Sequence, residues 1–90
     1  MIDSMIILLG NELCKYTNTD LKVSMGIIKL AIKDSIETEG ILNLDSIDIA
    51  LKKNLSERLR KLNVSNITEI IANLEKVAKN NQSLLIMEAI

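Results

Sequence analysis

The chain predicts an all-α fold: a compact bundle of four to five short helices forming one domain over residues 1–90. Three observations carry that expectation. Apolar residues recur at steps of three and four along successive stretches, the spacing that gathers them on one helix face. Proline is absent and glycine occurs only at Gly10, Gly26 and Gly40, too little turn punctuation for a β-sandwich or barrel. Apolar residues make up 48% of the sequence, the proportion of a globular chain.

Such a core is thin, because a chain of this size buries little more than about 60% of its unfolded surface. It is also chemically uniform. Tyr16 is the only aromatic, and Phe and Trp are absent. A core of Ile, Leu, Val, Met and Ala specifies its packing less sharply than a mixed one. Apolar surface buried against a second copy would compensate, so a homodimer is expected.

The first helix is expected over residues 3–17, capped by Asp3 or Ser4. Met5, Ile6, Ile7, Leu8 and Leu9 are apolar almost all the way round, which implies burial on more than one side. This run alone also fits a strand, but Asn11, Glu12 and Lys15 continue it with a polar side. Cys14 reads as a small buried apolar residue, since Lys15 alone is little to activate a thiol.

Thr17, Asn18, Thr19 and Asp20 form a turn, with Thr17 and Asp20 at capping-box spacing. A second helix runs to about Glu39. Leu21, Met25, Ile28, Ile32 and Ser35 or Ile36 form one stripe, and Val23, Ile27, Leu30 and Ala31 widen it. A face this broad can meet two neighbours. Gly26 falls mid-helix and marks either tolerated drift or a close crossing with another backbone. Gly40 ends the helix as a left-handed cap. Ile41, Leu42 and Leu44 are expected to tuck against the core.

The third helix spans about residues 46–63, capped by Asp45 or Ser46. Its ladder is Ile47, Leu51, Leu55, Leu59 and Leu62, flanked by charge. At about two and a half heptads it is too short to argue a coiled coil by itself. Asn63 can take the left-handed conformation at its end. The fourth helix begins at Ser65 or Asn66, with Asn66 and Glu69 at capping-box spacing. Ile67, Ile70, Ile71, Leu74, Val77 and Ala78 form its stripe. The closing run Leu84, Leu85, Ile86, Met87, Ala89 and Ile90 is expected to dock, as a helix or as an edge strand.

Composition excludes several classes of chemistry. Histidine is absent and Cys14 is alone, which removes the commonest general base and metal ligand and any internal disulfide. There is no glycine-rich phosphate loop and no nucleophile elbow. No enzyme activity, cofactor or metal is expected. No run reaches the length of a membrane span, and Asp3 precedes the short apolar run near the start, so a cytoplasmic protein without a membrane partner is expected.

Net charge is −1. Residues 1–45 hold four Lys against seven acids, and residues 46–90 hold seven basic residues against five acids. Lys52, Lys53, Arg58, Arg60 and Lys61 cluster, but at 100° per residue they do not share a face. Glu57 is placed to pair with Lys53 and Lys61, so a solvated outer face explains the group.

The functional expectation is a protein–protein interaction module, assembling with itself or another protein, with Ile6, Leu9, Ile86 and Ile90 as candidate contacts. The alternative is a helix-turn-helix-like nucleic-acid regulator built on residues 46–63 and 66–80. Its contacts would be Lys53, Arg60, Asn73 and Lys76, with Glu69 and Glu75 opposing phosphate.

Overall fold

A computed structural model describes residues 3–40 and 43–84. They form an all-α bundle of four helices: α1 (Asp3–Thr17), α2 (Leu21–Glu39), α3 (residues 44–61) and α4 (Ile67–Asn80). The run at Met5–Leu9 is helical, within α1. Each helix packs chiefly on two others, closing a ring in which α1 and α3 both touch α2 and α4. The core is wholly aliphatic. Met5, Leu9 and Leu13 of α1 meet Ile28, Ala31 and Ile32 of α2, the α3 ladder, and Ile70, Ile71, Leu74 and Ala78 of α4.

The turn between α1 and α2 shows how polar residues close a helix pair. Thr17 Oγ1 donates back to the Leu13 carbonyl at 3.1 Å, and Asn18 turns the chain with φ 55°. A hydroxyl chain follows, Thr17 to Thr19 at 2.8 Å and Thr19 to buried Ser24 at 2.7 Å. The cap of α2 is Asp20 alone, which accepts from the Val23 N–H at 2.8 Å. Thr17 belongs to α1 and is not the cap. The end of α2 is as expected: Gly40 adopts φ 77° and its N–H reaches the Ile36 carbonyl at 2.7 Å.

The close helix crossing lies at Gly10, not Gly26. A Cβ at Gly10 would fall 2.7 Å from Met25 Cγ and 3.3 Å from the Met25 backbone. Gly10 therefore lets α1 and α2 approach. A Cβ at Gly26 would meet nothing within 4 Å.

The third helix starts earlier than expected. Asn43 caps it, accepting from the Ser46 N–H at 2.9 Å, while Ser46 Oγ accepts from the Asn43 N–H at 2.9 Å. This reciprocal box satisfies two backbone donors at once. The helix runs through Leu44–Ile49, then a π-helical stretch Ala50–Leu55, then Ser56–Lys61. Ile47, Leu51, Leu55 and Leu59 are all fully buried. Four-residue steps overshoot an α-turn by about 40° each, so the ladder would spiral off its face. The wider i→i+5 turns of Ala50–Leu55 offset part of that excess. Leu62 does not continue the ladder: it follows the helix and is 56% exposed. Asn63 turns the chain as expected, with φ 59°, and Asn66 at φ 58° leads into α4 without a side-chain cap bond.

Polar contacts bind α3 to α2. Buried Ser35 donates to the Ser46 carbonyl at 2.8 Å, Asn54 donates to the Ala31 carbonyl at 3.2 Å, and Arg58 bonds Asp34 at 2.8 Å. No buried side-chain nitrogen or oxygen lacks a partner among the described residues, as a native interior requires. Leu44 packs against the core. Ile41, Leu42 and residues 85–90 lie outside the described residues.

Candidate interaction surface

The expected contact residues of α1 are occupied by the chain itself. Ile6 is 5% exposed and Leu9 is fully buried, because α1 is held between α2 and α4. On that helix the exposed large side chains are Ile7 and, near its end, Tyr16. Ile86 and Ile90 lie outside the described residues.

Among the described residues α2 carries three exposed large apolar side chains, Leu21 at its start and Val23 and Leu30 further along. That helix turns one side to α1, at Met25, and another to α3, through Ala31, Asp34 and Ser35. Its remaining side carries Val23, Ile27 and Leu30. Their steps of four and three place them as neighbours on one stripe. Val23 is 49% exposed and Leu30 is 47% exposed, and Ile27 is half-buried. Gly26 sits exposed beside them with no heavy atom near the position of a Cβ. No family model, curated protein or solved structure matches this chain. The functional reading therefore rests on its own residues.

The four nucleic-acid candidates do not gather. Lys53 and Arg60 are exposed on α3, and Lys76 is exposed on α4. Arg60 borders an open groove of about 370 Å³ between α3 and α4, with Lys52, Ser56, Thr68 and Glu75. Lys76 borders a neighbouring groove of about 370 Å³, with Asp48, Glu75 and Lys79. The salt bridge from Lys52 to Glu75, 3.5 Å, involves residues of this same region. Lys53 lines neither groove. Asn73 is engaged elsewhere, its amide donating to Tyr16 Oη at 2.8 Å.

Tyr16 is thus the polar tie between α1 and α4. Its hydroxyl also donates to Glu12 Oε2 at 3.1 Å, and Glu12 holds Lys15 at 3.2 Å. Loss of hydration at this junction raises the phenol above its ordinary 10.0, and the bond to Glu12 and the Glu12 charge add to the effect. The Asn73 amide works the other way, and Glu69 contributes further negative charge. Asn73 accordingly stands among carboxylates, a poor place for a phosphate.

The basic cluster of α3 is also dispersed. Lys52 and Arg58 are drawn to Glu75 and Asp34 on other helices. Glu57 forms no ion pair among the described residues, so the expected links to Lys53 and Lys61 are not made. Cys14 is a free thiol and half-buried. Among the described residues no three His, Cys, Asp or Glu side chains gather where a metal ion could be held, and no helix is long and apolar enough to cross a membrane.

Proposed function

We propose that the protein is a protein–protein interaction module that docks a partner on the outer face of α2. The carrying observation is the stripe of Val23, Ile27 and Leu30, of which Val23 and Leu30 stay about half exposed while Ile27 packs partly against the core. An isolated exposed leucine is ordinary. Three aliphatic residues in register on a well-packed helix, beside a glycine that leaves room for an incoming side chain, form the pattern of a helix-docking face. Each half-exposed residue that becomes covered contributes on the order of 1 kcal/mol. A stripe two turns long therefore suits a modest, reversible contact and not an obligate one.

This reading makes the protein a non-enzymatic, cytoplasmic adaptor or regulatory component. The nucleic-acid reading has less support, because Lys53 lies away from the grooves that Arg60 and Lys76 border and Asn73 is bonded to Tyr16.

The test is affinity capture from the native host with three baits: the wild-type chain, Leu30→Glu, and Arg60→Glu as a control on the α3–α4 groove. The expected result is a protein retained by wild type and Arg60→Glu and lost by Leu30→Glu. Capture that ignores Leu30→Glu and fails with Arg60→Glu would move the function to the groove and refute the proposal.

A further inference from the structure

The outer face of α2 carries a charge pattern beside its apolar one. Lys22, Lys29 and Lys33 are all exposed, and their steps of seven and four place them within about 40° of one another around the helix. None of the three forms an ion pair among the described residues. The row lies about 100° around the axis from the stripe of Val23, Ile27 and Leu30, with Gly26 between them. Glu37 lies between row and stripe at the C-terminal end and is exposed. Asp34 lies at the end of the stripe and is bonded to Arg58.

From this arrangement we infer that α2 docks an amphipathic helix of another protein, one whose apolar stripe is flanked on one side by Asp or Glu. The inference rests on the reading of α2 as the interaction face and adds the chemistry of its partner. Charge complementarity selects the occupant. A line of carboxylates opposite three lysines removes their mutual repulsion, sets the register of the incoming helix and speeds encounter. The open position at Gly26 receives a side chain between Val23 and Leu30, as ridges of one helix fill the grooves of another.

A second copy of the chain fits this face poorly. Two α2 helices paired antiparallel about a two-fold axis bring lysine row against lysine row. Paired parallel, three lysines meet a flank whose carboxylates are Asp20 and Asp34, and the charge of Asp34 is already shared with Arg58. A lipid surface fits poorly as well, because interfacial helices insert a wide apolar face, commonly with aromatic residues, and this face offers three half-covered aliphatic side chains.

The experiment is selection of displayed helical peptides on the full chain, followed by binding of selected peptides to Leu30→Ser and to the triple variant K22E/K29E/K33E. All four substitutions are at exposed positions, and circular dichroism confirms that each variant folds. The expected peptides pair an apolar stripe with an acidic flank. They should weaken at least tenfold with either variant and lose affinity as salt rises. Peptides that depend on Leu30 but show no acidic bias, and bind the triple variant equally, would overturn the acidic-partner inference and leave the docking face standing. If no selected peptide depends on Leu30, both readings fall. A concentration-dependent mass that Leu30→Ser abolishes would assign the face to a second copy. Leu30-dependent binding to phosphatidylserine vesicles would assign it to a membrane. Either result overturns the inference.

Discussion

Gly26→Ala should stabilise the fold and Gly10→Ala should destabilise it, although both glycines sit inside helices. At Gly26 the added methyl meets nothing within 4 Å. The substitution then yields only the gain in helix propensity, about 1 kcal/mol. For a chain of this size that corresponds to a rise in Tm of about 4–8 °C. At Gly10 the same gain is opposed by a collision, 2.7 Å to Met25 Cγ and 3.3 Å to the Met25 backbone. A turn of the Met25 side chain relieves the first contact, but only a movement of α2 relieves the second. Overpacking of this kind costs about 1–3 kcal/mol, so the net loss is up to about 2 kcal/mol once propensity is counted. Urea denaturation followed by circular dichroism measures both, with the midpoint moving at constant slope. Repeating Gly10→Ala in a Met25→Ala background should recover part of the loss, since one of the two collisions is then gone. If Gly10→Ala stabilises as much as Gly26→Ala, the close approach of α1 and α2 is refuted.

Leu55→Ala should cost about 2–5 kcal/mol, because it opens a cavity at a fully buried position in the π-helical stretch; a loss under 1 kcal/mol in the same denaturation assay would contradict that packing. Asn43→Ala should cost about 1 kcal/mol by removing the cap of α3, and Asp45→Asn should cost less in the same comparison. The raised Tyr16 phenol means that the folded chain holds that proton more tightly than the unfolded chain. Its contribution is full below the ordinary value of 10.0 and fades as pH rises through the folded value. Wild type should therefore lose Tm more steeply than Tyr16→Phe above pH 10, with equal slopes counting against the junction described.

The helices were legible because aliphatic spacing alone determines which side of each turn leaves water. Gly40 and Asn63 were legible as stops, since few residues tolerate positive φ. The start of α3 was not, because Asn43, Asp45 and Ser46 are all competent caps and only the three-dimensional path selects among them. The π-helical stretch was not legible, because apolar steps of four also form the ordinary i±4 ridge of an α-helix. The roles of Gly10 and Gly26 were hidden, because local sequence does not say which backbone arrives from elsewhere. For the same reason Ile6 and Leu9 looked like surplus apolar surface. A run that is apolar all round serves equally for an interface and for a helix clasped by two neighbours. The double width of α2 was visible in the sequence, but not which of its stripes would stay uncovered.

The lone tyrosine gives the molecule a built-in optical reporter. With no tryptophan in the chain, its ultraviolet emission arises from one phenol bonded across α1 and α4. A change in that emission reports separation of those two helices. Any tryptophan signal in a mixture then belongs to the partner alone, so docking and unfolding can be followed in one cuvette without a dye.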